Sequence, residues 1–278
     1  MCSIHKRKES LPTAKAYTLF SSSGGNCFYL KDGEDEILID VGASCRAIGE
    51  SLTRLGTSLG NIKAIFITHE HSDHIKGLET ICKKYPIPVV CTIDTARCIC
   101  NSIVPARENI RIMDVGGCVK IGGLTVRSAK TPHDSADSVC YRITLSSGEE
   151  LGYATDIGNL SDEVVDTLCG CRFVVIESNH DKAMLKNGPY PQSLKMRILG
   201  SRGHLSNEDC ARFLPTLAAC GCKNILLAHL SRENNTPELA LSSAKELLES
   251  AGFGDEVSLD VAAVNSPVAL IKEPDDVL

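Results

Sequence analysis

In T-H-E-H-S-D-H-I-K-G, residues 68–77, three histidines and an aspartate fall within six positions. His69 and His71 are two apart at the end of the apolar run I-K-A-I-F-I, a spacing that turns both imidazoles to one side of an extended chain. Asp73 and His74 follow in the turn toward the next helix. Two imidazoles on one side and a carboxylate–imidazole pair on the other can hold two cations a few ångströms apart. Taken singly, Asp73 reads as a helix N-cap and each histidine as an ordinary core or surface residue. Four separate structural roles do not account for such clustering.

The elements that must position this loop are legible on both sides of it. A-K-A-Y-T-L-F, C-F-Y-L-K-D (27–32) and E-I-L-I-D-V-G (36–42) read as strands. The first two are joined by S-S-S-G-G-N, whose composition marks a tight turn. A helix over C-R-A-I-G-E-S-L-T-R-L-G ends at Gly56, and I-K-A-I-F-I-T is the strand feeding the histidine loop. One helix is expected through H-I-K-G-L-E-T-I-C-K-K-Y, stopping before Pro86. Downstream, L-T-V-R-S-A, S-V-C-Y-R-I-T-L-S-S, E-L-G-Y-A-T-D, R-F-V-V-I-E-S, K-N-I-L-L-A-H-L, V-S-L-D-V-A and P-V-A-L-I-K-E read as strands. Ser206, with Asp209 three residues on, caps a helix that Pro215 should end or kink. Thr236 and Pro237 open another. The order fits an α/β fold of two mixed sheets packed face to face with helices outside. A single domain spans 1–278, in two comparable halves of about 15–146 and 147–272, with the acidic end E-P-D-D-V-L expected to fray.

Composition narrows the setting. With 43% hydrophobic and 23% charged residues in 278, the chain is that of an ordinary globular protein. No apolar run approaches the roughly 20 residues needed to span a bilayer, and no apolar segment follows the basic M-C-S-I-H-K-R-K-E-S, so the expected location is the cytoplasm. The fourteen cysteines include the close pairs Cys98/Cys100, Cys169/Cys171 and Cys220/Cys222. Two C-x2-C halves at zinc spacing are missing, so the thiols read as reduced and mostly buried. A net charge of −6 argues against a surface built for indiscriminate nucleic-acid binding. A local basic cluster nevertheless exists: Lys182, Lys186, Lys195, Arg197 and Arg202 lie between Ser178 and His204, with Asp181 the one acid among them. It reads either as a phosphate-binding groove or as a solvated helix face.

H-x-H-x-D-H after an apolar strand resembles the signature of the metallo-β-lactamase superfamily. Further pieces follow in the order of that family: Asp40 in I-L-I-D-V-G, His133 in K-T-P-H-D-S, Asp156 in Y-A-T-D-I-G and His229 in L-L-A-H-L-S. The resemblance implies a four-layer αββα sandwich with two divalent metal ions between the sheet edges. It assigns His69, His71 and His133 to one metal, Asp73, His74 and His229 to the other, and Asp156 to both. Asp40 either orients a ligand imidazole from behind or serves a turn. Seven nitrogen and oxygen ligands suit zinc and equally admit manganese or iron. Two bridged metals imply hydrolysis: a shared water loses its proton near neutral pH and attacks, and a separate acid protonates the leaving group.

The block I-E-S-N-H-D…G-P-Y-P…L-K-M-R-I-L-G…R-G-H-L-S-N-E-D is similar to the YycJ/WalJ branch of that superfamily, and the similarity runs from about residue 16 to 270. The branch implies a cytoplasmic exonuclease that degrades double-stranded DNA from 5′ ends, with manganese support. The DNA backbone would then meet the basic cluster and the free N–H groups of the helix after Ser206. His204 resembles the leaving-group acid of related tRNA-processing nucleases, and it joins Asp73 in the expected catalytic set; its structural alternative is a capping-loop histidine. His180 either touches phosphate or backs a metal ligand, or only caps a helix, and Glu177 is a further candidate behind the ligands. Tyr190 either stacks on a base or packs a turn. In S-S-S-G-G-N the branch would have S-G-S-S-G-N, so a tight turn is the preferred reading of that loop. Two other functions remain open: a hydrolase of small cyclic phosphodiesters or thioesters, and a metal- and DNA-binding protein without catalysis. No protein partner is implied.

Overall fold

The computed structural model describes residues 14–271; the basic N-terminal decapeptide and the acidic C-terminal end lie outside the described residues. The chain opens with β1 (Ala14–Phe20), β2 (Cys27–Asp32) and β3 (Asp35–Ile39), then α1 (Cys45–Arg54), β4 (Ala64–Phe66), α2 (Ser72–Ile75), α3 (Leu78–Lys84), β5 (Val89–Cys91), α4 (Ile93–Ser102) and β6 (Ile110–Ile112). It continues through β7 (Cys118–Ile121), β8 (Leu124–Lys130), β9 (Val139–Thr144), β10 (Glu150–Ala154), α5 (Asp162–Leu168), β11 (Phe173–Glu177), α6 (Lys182–Asn187), α7 (Gln192–Leu199), α8 (Asn207–Ala219), β12 (Asn224–Ala228) and α9 (Pro237–Ser250). The strands β13 (Ser258–Val261) and β14 (Val268–Ile271) close it.

Two seven-stranded sheets result, ordered β14-β1-β2-β3-β4-β5-β6 and β13-β12-β11-β10-β9-β8-β7. One apolar cluster, including Phe28, Phe66, Tyr141, Tyr153 and Val175, draws on both sheets and forms the layer between them. A second packs α1, α3 and α4 on the outer face of the first sheet through Ile48, Leu52, Leu78 and Ile99. A third packs α5, α8 and α9 on the second sheet through Leu168, Leu214, Leu217 and Leu248. This is the four-layer αββα sandwich of a metallo-β-lactamase fold. Strands covered on both faces read as unbroken apolar runs, as in F-V-V-I-E of β11, whose five residues are all buried.

Three expectations change. The chain passes from the first sheet to the second between β6 and β7, upstream of 146/147, and β14 returns to the first sheet beside β1. Hairpin β8–β9 therefore belongs to the second sheet, where β9 pairs with β10 and Val126, Val139 and Tyr141 face the layer between the sheets. The single helix after the histidine loop is two, α2 and α3, broken at Gly77, whose backbone passes so close to the β3–α1 loop that a Cβ would lie 2.4 Å from Ala43 O. Of the two outcomes expected at Pro215, ending α8 is the one overturned: the proline lies inside the helix, which continues to Ala219, held by the buried face of Cys210, Phe213, Leu214 and Leu217 on the second sheet. The N-caps at Ser206 and Thr236 are present, accepting from Asp209 N and Leu239 N at 3.1 and 3.2 Å.

Candidate metal centre

Strands β3 to β6 run parallel in one sheet and β10 to β13 in the other. The site residues emerge from the carboxyl ends of these strands, where open α/β sheets present their functional groups. Asp40 follows β3, His69 follows β4, Asp156 follows β10, Glu177 ends β11 and His229 follows β12. Asp40, Asp156 and His229 have φ of 59°, 55° and 56°. This left-handed backbone costs a non-glycine residue about 1 kcal/mol or more, and such conformations concentrate where surrounding structure over-determines a functional site. The sheets are fastened together beside the loop: Tyr141 OH donates to Ile67 O at 2.6 Å, and Val139 N to Thr68 O at 3.1 Å.

Ligand atoms of His69, His71 and His133 lie within 4.8 Å of one another, as do those of Asp73, His74 and His229, and those of His69, His74 and Asp156. The rings of His69 and His71 are 4.5 Å apart, and those of His69 and His133 4.9 Å. The buried Nε2 atoms of His69, His133 and His229 have no hydrogen-bond partner. Asp156 Oδ2 is 3.1 Å from His74 Nε2 but is not aligned to receive a hydrogen bond from it. Buried imidazole and carboxylate atoms left unpaired and converging on one volume are the donor set of a divalent cation, so these residues fit the metals that the fold implies.

In four of the five candidate ligand histidines, His69, His74, His133 and His229, the opposite ring nitrogen is held from behind. His74 Nδ1 lies 2.8 Å from Asp40 Oδ2, and Thr68 N and Oγ1 each donate to the same carboxylate at 2.9 Å. Thr68 Oγ1 is also 3.1 Å from His69 Nδ1. His133 Nδ1 donates to Gly203 O at 3.1 Å, and Arg202 grips the His133 carbonyl at 2.7 and 3.0 Å. Glu177 Oε1 is 2.9 Å from Nδ1 of both His229 and His204, while Oε2 accepts from Ile157 N and Leu205 N. Such contacts fix ring orientation and would turn Nε2 toward a bound cation. The sequence reading missed Thr68 and the Gly203 carbonyl. Thr68 adjoins the ligands and was within reach of it; a backbone carbonyl 70 positions from His133 leaves no sequence signal.

Electrostatics follow from this packing. Burial raises the Glu177 carboxyl, but the His204 and His229 imidazoles overcome it and pull it down to about 2. Burial lowers His229, yet Asp156, Asp73 and Glu177 lift it to about 10. His74 is likewise held well above its usual value by Asp156 and Asp40 against the pull of burial. His204 also rises, burial being outweighed by Glu177 and then Asp156.

A family model described as the beta-lactamase superfamily domain matches residues 35–229, a span that includes every candidate ligand. The chain belongs to the metallo-β-lactamase superfamily. Within it, the chain is 37% identical over 238 residues to exodeoxyribonuclease YycJ of Bacillus anthracis, covering 85% of this chain and 89% of that one. It is 33% identical over 246 residues to exodeoxyribonuclease WalJ of Streptococcus pneumoniae serotype 2 (strain D39), covering 87% and 91%. The crystal structure of the metallo-beta-lactamase fold protein YhfI from Bacillus subtilis shares the fold, with a TM-score of 0.66 at 15% identity over 92% of this chain and 99% of that one. The protein is therefore a metal-dependent hydrolase of the YycJ/WalJ branch, and a purely non-catalytic role is set aside.

Elsewhere on this superfamily scaffold the expected substrate-binding residues are more committed than their spacing suggested. Arg197 pairs with Asp134, its NH2 atom 3.0 Å from Oδ1, and Lys182 pairs with Asp209 at 2.6 Å. Lys195 donates to Lys186 O at 2.8 Å, and Arg202 is spent on the His133 and Ser135 carbonyls. Lys186 is exposed on α6. Acids brought in from outside 178–204 thus neutralise part of the cluster. Ser206 is buried and caps its own helix, donating to Asp209 Oδ2 as well as accepting from Asp209 N. With Glu208 and Asp209 in its first turn, that helix terminus is not an open anion site. His180 is buried with both ring nitrogens unpartnered, and its backbone bridges Ser206. Tyr190 is half-buried in the turn before α7. The thirteen described cysteines are all free, and none joins a ligand group among the described residues. No described helix is long and apolar enough to cross a membrane.

Proposed function

We propose that this protein is a 5′-to-3′ exonuclease of double-stranded DNA that uses two divalent cations and acts in a reducing cytoplasm. The observation that carries the reading is identity along most of the chain to two relatives named exodeoxyribonuclease. Polarity and duplex preference rest on the resemblance to their branch. His69, His71 and His133 would hold one cation and Asp73, His74 and His229 the other, with Asp156 between them. This nitrogen and oxygen set suits manganese or zinc and admits iron. Such a centre, when loaded, supplies an acidified water and positive charge against the attacked phosphoryl group.

The chain's own groups manage the proton at the other end of the reaction. Glu177 is ionised and cannot donate, so His204 Nδ1 is the donor in their 2.9 Å contact, and Nε2 is the nitrogen not engaged by Glu177. The ring of His204 stands 5.2 Å from that of His133 and 5.3 Å from that of His229. Held protonated by Glu177, His204 supplies the proton to the departing deoxyribose oxygen. Glu177, Asp40 and Thr68 act as positioning residues behind the ligands.

Duplexes labelled at the 5′ or the 3′ end and incubated with the manganese-loaded protein test the reading. The 5′ label should leave as short products while the 3′ label persists on shrinking strands. Asp73→Ala and Asp156→Ala should abolish both. If neither duplex shortens, or if these variants cut like wild type, the reading fails. One observation favours a second reading, hydrolysis of a small phosphodiester or thioester: the ion pairs that neutralise Lys182 and Arg197. Turnover of a chromogenic diester with intact duplexes would establish that alternative.

A further inference from the structure

We propose that Arg232, seated on the turn Ser22–Gly24, forms a phosphate-binding subsite at the rim of the metal centre. The inference rests on the nuclease reading above. Arg232 lies three positions beyond His229 and is exposed. Its NH2 atom donates to Ser22 Oγ at 3.3 Å, and the same hydroxyl accepts from Gly24 N at 3.2 Å. The guanidinium lies across Gly24 so closely that a Cβ there would be 2.9 Å from NH2 and 3.2 Å from Cζ.

This turn is tied to the candidate ligands at both ends. Ser21 Oγ accepts from His229 N at 2.7 Å, and Asn26 N donates to Asp73 O at 2.8 Å. The charge of Arg232 therefore rests against the same loop that braces the candidate metal centre. Unlike Lys182 and Arg197, it pairs with no carboxylate among the described residues. A guanidinium oriented by one hydrogen bond keeps further donors in a planar fork that matches phosphate oxygens. Gly24 presents no side chain to obstruct an approaching backbone. The loop S-S-S-G-G-N is thus a turn that also seats a cation.

An internal phosphodiester and a terminal 5′-phosphate share this chemistry. The test uses the full-length manganese-loaded protein on duplexes bearing either a 5′-phosphate or a 5′-hydroxyl, with KM and kcat measured against salt. Arg232→Ala should raise KM about tenfold and make the logarithmic salt dependence of kcat/KM shallower by about one. Arg232→Lys should restore the slope and recover KM in part. Gly24→Ala, whose methyl displaces the guanidinium without removing charge, should raise KM with the slope kept. A KM change on both duplexes assigns an internal phosphodiester; a change confined to the phosphorylated one assigns the end. Unchanged KM and slope for Arg232→Ala on both substrates overturn the subsite, as does a rise in KM that tracks loss of bound manganese in elemental analysis. Wild-type protein that cuts neither duplex overturns the nuclease reading itself, so the two failures are told apart.

Discussion

Glu177 Oε1 lies 2.9 Å from His204 Nδ1, and the same oxygen lies 2.9 Å from Nδ1 of the candidate ligand His229. One buried carboxylate therefore orients both a candidate metal ligand and the proposed proton donor. Glu177→Gln should lower kcat about 10- to 100-fold, the usual cost of removing such an outer partner. It should also move the alkaline limb of the kcat–pH profile to lower pH. In the proposed role His204 acts protonated, so activity should fall as pH rises through its raised pKa, and losing the carboxylate should bring that pKa down. A profile whose alkaline limb stays in place would exclude His204 as the donor.

Cation binding should expel protons. Asp156, Asp73 and Glu177 lift His229 to about 10 against burial, so near neutral pH the metal-free ring is protonated and must lose that proton to ligate. Calorimetric titration with manganese in buffers of different ionisation enthalpy should show net proton release, with apparent affinity falling as pH is lowered. Identical enthalpies across buffers would contradict the assignment of His229.

Asp40→Asn removes the charge behind His74 with little change of shape. Metal affinity at the Asp73, His74 and His229 group should fall about 10- to 100-fold. Removal of the Thr68 hydroxyl, as in Thr68→Val, should weaken binding in the same sense, because that hydroxyl touches Asp40 and His69. Dialysis against graded manganese followed by elemental analysis reads both.

His180 gives a stability prediction. Burial is the first cause of its depressed pKa of about 4, against a reference of 6.5. Between those values the unfolded chain binds more protons, so its contribution is present above about pH 6.5 and is lost as pH falls toward 4. The contribution is at most about 3 kcal/mol. Denaturant unfolding of the metal-free protein should show His180→Gln losing less stability than wild type between pH 7 and pH 4, roughly the window the linkage sets. Equal slopes would remove His180 from the acid response.

Gly42→Ala places a Cβ only 1.6 Å from Asp73 O, a carbonyl that also accepts from Asn26 N. Backbone must move, so the loop carrying Asp73 and His74 should shift and bound metal should fall, with a stability loss of about 1–3 kcal/mol. Full metal content in this variant would show that the loop is not seated as described.

The ligand loop was legible because its chemistry is local: His69, His71, Asp73 and His74 sit within six residues behind an apolar strand, and neither packing nor partner alters that spacing. Strand periodicity and caps such as Ser206 and Thr236 were readable for the same reason, each being set within a few residues. Charge was not. Lys182, Arg197 and Arg202 formed a basic run along the chain, but Asp209, Asp134 and the His133 carbonyl reach them from other elements, so their availability was decided in three dimensions. Glu177 read as a marginal candidate and stands at the hinge of the site, because sharing one oxygen between His204 and His229 requires the carboxyl ends of β11 and β12 to lie side by side. Arg232 carried no signal until folding laid it on Gly24. Residue types and short spacings thus name the reagent from sequence alone, whereas burial and pairing of charges, which depend on distances between remote segments, belong to the tertiary structure.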